Sequence, residues 1–280
     1  MIVCVGAINV DFIFITDRWP AEHEKFRAED YVCVGGGSAA NTAVELSMLG
    51  REASIVGGVG TDDLGNLALS SLVKAGVNVD HVLRRNGWKT GCAAIRSVGR
   101  SKSILTAGTR DADAIFNSLS ALQIQPGDHV HFSWALPERS HDQLRQWRRS
   151  GASLSWETDG RMSMPAAELF DVIFMNADER ALYESSGVLT NNWLNSPQHN
   201  VTVVVTLADI GAEAYLKGRR CFHGASKVAV VDRTGGGDAF DAGFLSAWLD
   251  REPLDECLKS ALESAAVIIG QLGPQRRSNP

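Results

Sequence analysis

Cysteine is scarce in this chain and never paired. Cys4, Cys33, Cys92, Cys221 and Cys257 are the only five in 280 residues, and none form a C-x-x-C. An odd set with that spacing suits neither a disulfide framework nor a zinc site, so a reducing, cytoplasmic setting is expected. Long apolar runs are also missing. No stretch approaches the ~20 residues that span a bilayer. The opening Met1-Ile2-Val3-Cys4-Val5-Gly6 has no basic leader and is soon interrupted by Asn9 and Asp11. It reads as a buried first strand, not as a signal peptide. There is no basic excess either: 27 Lys and Arg stand against 33 Asp and Glu, a net charge of -6. Such a chain lacks the field that sequence-independent nucleic-acid binding needs, and any polyanion must be held at a local site. Arg145, Arg148 and Arg149 then read as a solvated helix face. No G-x-x-x-x-G-K-[ST] occurs, which argues against a P-loop nucleotide site. His129 and His131 alternate along a strand without clustered carboxylates, so a structural role is expected of them.

What remains is ordinary globular material, 44% hydrophobic and 21% charged, long enough for one large α/β domain or two small ones. Short apolar runs predict strands over 2–5, 54–56, 129–133, 153–156, 172–175 and 201–206. Amphipathic stretches predict helices over 39–49, 64–75, 140–150, 177–185, 239–249 and 254–269. This alternation predicts a mainly parallel sheet with helices on both faces. Asp62 and Asp63 suit the start of the second helix, and Gly50 and Gly76 follow two helix ends. Residues 12–34 and 89–106 break the rhythm with period-2 alternation and predict a small separate β-structure. Residues 275–280 predict a frayed tail.

One segment carries chemistry. Val230-Val231-Asp232-Arg233 leads into Thr234-Gly235-Gly236-Gly237-Asp238, and a helix pattern follows from Ala239. Glycines let a backbone approach a ligand closely, and the N–H groups of a helix start suit phosphate oxygens. Asp238 repels an anion there unless it faces something else, such as a substrate hydroxyl whose proton it accepts. A capping Asp after a glycine turn is the plain structural alternative. Asn9 and Asp11 share one strand face, and a buried polar pair is costly without a ligand or partner. Gly35-Gly36-Gly37-Ser38-Ala39-Ala40 also fits a loose G-x-G-x-x-A dinucleotide pattern, but it does not follow the first strand.

Two of these segments together resemble the signatures of the ribokinase-like (PfkB) carbohydrate kinases. Gly36-Gly37-Ser38-Ala39-Ala40-Asn41 is similar to the family's G-G-x-x-x-N. Asp232-Arg233-Thr234-Gly235-Gly236-Gly237-Asp238-Ala239-Phe240 is similar to its D-T-x-G-A-G-D-x-F. Gly6-Ala7-Ile8-Asn9-Val10-Asp11, Gly60-Thr61-Asp62-Asp63-Leu64-Gly65, Asn176-Ala177-Asp178-Glu179 and Thr206-Leu207 with Gly211 resemble further elements in the family's order.

The resemblance implies one ribokinase-like domain over 1–280, a three-layer α/β sandwich with 12–34 and 89–106 as a β lid. It implies ATP-dependent transfer to a primary hydroxyl of a sugar, with lid closure excluding water. Asp238 would be the base and Gly235, Gly236 and Gly237 the anion hole. Asn9, Asp11, Gly36, Gly37 and Asn41 would hold the sugar. Thr206, Gly211, Thr234, Gly235 and Gly237 would meet the nucleotide. Asn176 and Glu179 would serve Mg2+ indirectly. Homodimerisation through the lid strands is implied as well, with closure over substrate inside a monomer as the alternative. A nucleoside kinase of the same fold and a non-catalytic sugar- or nucleotide-binding protein are the competing readings.

The chain departs from the family pattern at several positions. Arg233 replaces a Thr, Gly236 an Ala, Ala208 a Gly and Ala135 a Glu. Residues 157–161 only loosely match D-x-N-x-R, and few residues follow Gly273, so no potassium site is assigned.

Overall fold

The computed structural model describes residues 1–98, 101–109, 111–134, 136, 138–158, 167–187 and 189–276. Ala135, Asp159, Gly160, Arg161 and the last four residues lie outside the described set. The chain begins with strands β1 (Ile2–Val5), β2 (Asn9–Ile15) and β3 (Asp30–Gly36), helix α1 (Ser38–Met48), strands β4 (Ala53–Val56) and β5 (Gly58–Gly60), and helix α2 (Asp63–Lys74). Strands β6 (Leu83–Arg85), β7 (Gly91–Val98) and β8 (Ser101–Ala107) follow, then α3 (Ala112–Ser118), β9 (His129–Phe132), α4 (His141–Arg149), β10 (Ser153–Glu157), β11 (Val172–Asn176), α5 (Ala177–Ser185) and α6 (Asn191–Leu194). Strands β12 (Thr202–Thr206), β13 (Gly211–Leu216) and β14 (Arg219–Gly224) and helices α7 (Gly236–Leu249) and α8 (Leu254–Ile269) complete it.

The main sheet has eight strands in the order β14-β13-β12-β11-β10-β9-β1-β4. It is parallel from β12 to β4, and β13 and β14 run antiparallel at one edge. Both faces of the parallel part are covered, which is why most of those strands are apolar runs. Ile2, Cys4, Val172, Phe174 and Val204 enter one core beneath α1, α2, α7 and α8. Val3, Val5, Ile173, Met175 and Val203 enter the other, with Trp147 of α4 and Tyr183 of α5. Helices α7 and α8 approach closely because Gly243 has no side chain: a Cβ there would stand 2.7 Å from the Ser260 carbonyl.

Beside the main sheet lies a second sheet in the order β3-β2-β7-β8. It is built from the two segments whose alternation broke the α/β rhythm. Its base is tied to the body at Asp62, which caps α2 through the Gly65 N–H and also accepts from the Thr90 N–H at 2.9 Å. Gly60 and Gly65 are needed at this junction, since a Cβ would lie 2.3 Å from the Trp88 carbonyl or 2.4 Å from the Gly60 carbonyl.

Three expectations change. Helix α7 starts at Gly236 rather than at 239, because Gly235 takes the N-cap in the left-handed conformation (φ 78°) and the next two glycines continue as helix. The β13–β14 hairpin was not expected, because its buried charge disguises it. Glu213 is buried but accepts from Arg220, Arg180 and Tyr215. The tail does not fray at Gln275 and Arg276. The Arg276 guanidinium pairs with the buried carboxylate of Glu45 on α1.

Phe244 is fully buried on α7 and meets Phe174 edge-on at 5.4 Å between centroids. Phe244→Ala is expected to cost about 3–5 kcal/mol, read as a lower urea midpoint at an unchanged denaturant slope.

Candidate active site

A cavity of about 350 Å³ opens between the two sheets. Asn9, Asp11, Gly37, Asn41, Thr234, Gly235 and Asp238 all line it, although they come from three distant stretches of chain. Asp11 is 4% exposed and Asp238 8%. Glycines make the room. A Cβ on Gly36 would sit 2.3 Å from the Asp11 carboxyl carbon, and one on Gly91 would sit 2.1 Å from Asn9 Oδ1. Gly36 therefore stands behind Asp11 rather than facing the cavity. Gly37 has φ 95° and lies too close to the Ala7 carbonyl for any side chain.

The start of α7 is built by Asp232. Its buried carboxylate accepts from the Thr234 N–H (3.0 Å) and hydroxyl (2.8 Å), and from the Gly273 N–H at 3.1 Å. That clamp sets Gly235 against Pro274, whose carbonyl oxygen would be 2.4 Å from a Cβ. In the first turn, Gly237 and Asp238 have no intrahelical acceptor for their N–H groups, and Gly237 is exposed. The Gly236 N–H is already turned to the Arg233 carbonyl at 3.3 Å. Asp238 Oδ2 accepts from Asn41 Nδ2 at 2.7 Å. Burial raises its proton affinity, while hydrogen bonds from Asn41 and Ser38 and the charge of Lys102 pull it back. Burial and the neighbouring Asp238 push Asp11 up to about 7.

Thr206, Gly211, Asn176 and Glu179 lie outside this cavity. Asn176 and Thr206 are register partners at the C-terminal ends of β11 and β12, and Gly211 opens β13 across the turn. In that turn Ala208 has φ 52°, the strained conformation that explains glycine in the family pattern. Asn176 and Glu179 form a capping box on α5, and Glu179 also accepts from the Thr158 hydroxyl. Between this row and Asp238 lies Asp241, one helical turn further along α7. Its Oδ2 is buried with no hydrogen-bond partner among the described residues. Burial, and then Glu157, Asp238 and Glu179, hold its proton affinity well above the usual carboxylate range. His131, Glu157 and Asp241 bring donor atoms within 4.8 Å of one another. An orphaned carboxylate among other carboxylates fits a hard divalent cation such as Mg2+.

Several lining residues were not legible in the sequence. Lys102, Ile104 and Thr106 of β8 and Ile95 of β7 reach the cavity only through the pairing of the small sheet, while Trp88, just before β7, and Ser133, just after β9 of the main sheet, complete the lining. Trp134 lines the cavity too, and its ring also packs near Phe116. His129 and His131 are held between Ser153, Ser155 and Ser133, and burial lowers both to about 3, so both rings are neutral.

The model of the pfkB family carbohydrate kinases matches residues 1–280. The chain belongs to that family. It is therefore an ATP-dependent kinase, and the dinucleotide reading of Gly35–Ala40 falls away. The ATP-dependent ribose-1-phosphate kinase of Halopiger xanaduensis is 28% identical over 97% of this chain and 93% of that protein. The ribokinase of Bacillus subtilis is 25% identical over 98% and 94%. Among solved structures, Arabidopsis thaliana ribokinase complexed with ribose and ATP superposes with a TM-score of 0.76 at 24% identity, covering 97% of this chain and 93% of that one. The Burkholderia thailandensis nucleoside kinase in complex with inosine gives 0.80 at 20% identity, covering 98% and 93%. These superpositions confirm the ribokinase fold. No helix among the described residues is long and apolar enough to cross a membrane.

The paired carboxylates imply a pH dependence of stability. Asp11 binds its proton more tightly folded (about 7) than at its ordinary 3.8. Its contribution is full below the ordinary value and is lost as pH rises through about 7. The ligand-free Asp11→Asn chain should therefore melt above the parent at mildly alkaline pH. The gap should close in mild acid, as read by calorimetry across pH.

Proposed function

We propose that this kinase phosphorylates a primary hydroxyl of a sugar or sugar derivative, with Asp238 as general base. The observation that carries the reading is the position of Asp238. It is buried in the first turn of α7, beside open N–H groups, in the same cavity as Asn9, Asp11 and Asn41. The three polar side chains suit sugar hydroxyls. The acceptor oxygen attacks the γ-phosphorus and its proton passes to Asp238. The new O–P bond forms as the bond to the β-phosphate oxygen breaks, and ADP leaves. The N–H groups of Gly237 and Asp238, with that of Gly235, face the transferring oxygens, where such donors typically contribute ~10²–10³ in rate. Gly236 contributes by letting the turn close. Thr206, Gly211 and Thr234 serve the nucleotide. Glu157, Glu179 and Asp241 would hold Mg2+, directly or through water, and a bound Mg2+ supplies positive charge against the phosphate oxygens. The β3-β2-β7-β8 sheet serves as the lid that excludes water.

The acceptor itself has two supported forms. Lys102 brings a cation to a cavity with two carboxylates, which suits an acceptor already bearing phosphate, the class for which the Halopiger relative is named. Trp88 and Trp134 at the cavity walls suit a nucleobase. The outer face of the lid, with Tyr31 60% and Leu105 71% exposed, suits a second copy of the chain.

Asp238→Asn should keep the fold and lower kcat by ~10²–10⁴, with the KM for ATP little changed. Near-normal turnover removes Asp238 as base. A panel of ribose, ribose 1-phosphate, fructose, adenosine and inosine, assayed for ADP release, decides the acceptor. Binding without product from every member would favour the non-catalytic alternative. Leu105→Glu should halve the sedimenting mass if the lid faces pair.

A further inference from the structure

We propose that Gln275 is a positioning residue for the general base, acting through Asn41. The inference rests on the assignment of Asp238 as base and adds to it a residue outside the catalytic cavity. Asn41 uses both ends of its amide. Its Nδ2 donates to Asp238 Oδ2 at 2.7 Å, and its Oδ1 accepts from Gln275 Nε2 at 3.2 Å. The far oxygen of Gln275 accepts from the Ser71 hydroxyl at 3.1 Å, so the Gln275 amide is itself held by α2. The direction of this chain matters. With the NH2 end of Asn41 toward Asp238, the ionised carboxylate is stabilised. With the amide reversed, an oxygen would face it and favour the protonated acid.

The segment that carries Gln275 is anchored on both sides. The Gln271 side chain donates to the Gln275 carbonyl at 2.6 Å, Asp232 holds the Gly273 N–H, and Arg276 pairs with Glu45 one helical turn beyond Asn41 on α1. Residues 271–276 therefore form a strap that fastens the base of α7 to α1 and α2. The same strap holds Pro274 against Gly235. A segment that looks like a polar tail thus sets the orientation of the amide on which the base depends. The other groups bearing on Asp238 are Lys102 on β8 and Ser38 on α1, with Asp11 on β2 and Asp241 on α7 as neighbouring carboxylates, the latter standing among Glu157 and Glu179. None of them touches Gln275 in this network.

The test reads Asp238 directly, by NMR of isotope-labelled aspartate carboxyl carbons, with its resonance identified by its loss in Asp238→Asn. Gln275→Met, which keeps the length but cannot donate, should move the Asp238 titration midpoint upward by roughly half to one pH unit. Gln275→Leu, which cannot donate and adds no charge, should move it the same way and covers the case where the Met variant does not fold. Asn41→Ala should move the midpoint too, and adding Gln275→Met to it should add nothing. An unmoved midpoint in both Gln275 variants would overturn the proposal, and so would a full further shift in the Asn41→Ala background. Failure of every sugar and nucleoside to accept phosphate, with the midpoints moving as expected, would remove the kinase reading and leave this coupling standing.

Discussion

Two buried carboxylates share one cavity, and much of the surrounding structure answers that constraint. Asp11 arrives on a lid strand and Asp238 on the first turn of a core helix. Each is buried, and the charge of Asp238 bears on Asp11. Bringing them together without ligand is unfavourable, and the compensation is specific: an amide from Asn41, a hydroxyl from Ser38 and a cation from Lys102. A site that costs stability when empty is one whose ligand can stabilise the fold on arrival.

The glycines follow from the same constraint. Gly36 and Gly91 flank the strand that carries Asn9 and Asp11, and each leaves the volume its neighbour's polar side chain occupies. Gly235 takes the left-handed turn that starts α7 at a point where Pro274 leaves no room for a side chain. Asp232 then fixes the turn from beneath. The result is a helix N-terminus whose N–H groups and carboxylate are preorganised before any substrate binds, which is the condition for electrostatic catalysis.

The small sheet packs on α2 through Phe12 and Cys33 and is pinned to the body at its base. Asp62 caps α2 and holds Thr90 in the same carboxylate, and the Gly60 N–H donates to the Thr90 hydroxyl at 2.9 Å. That junction keeps Lys102 and Ile104 over the cavity, with Tyr31 and Leu105 exposed on the opposite face. It also explains why Gly60, Asp62 and Gly65 stand together: two glycines make room for backbone carbonyls, and one carboxylate serves two elements.

Much of this was legible in the sequence. Strands buried on both faces become continuous apolar runs, so the six parallel strands stood out, as did their helices. The two signature segments named the family because glycine, asparagine and aspartate at that spacing answer local backbone demands. The β13–β14 hairpin stayed hidden because Glu213 is buried there, and its charge is neutralised by residues that are neighbours only after folding. The cavity's Lys102 was hidden because an isolated lysine on an alternating strand reads as plain surface until the pairing of β7 with β8 sets it, still exposed, at the cavity wall. The sequence alone determined most of the elements, the family and the glycine turn that opens α7, because periodicity and glycine placement are local. Only the tertiary structure decided that Asp11 and Asp238 share a cavity, that Asp241 Oδ2 is buried with no hydrogen-bond partner among the described residues, and that Gln275 reaches Asn41, because those depend on distances between residues far apart in the chain.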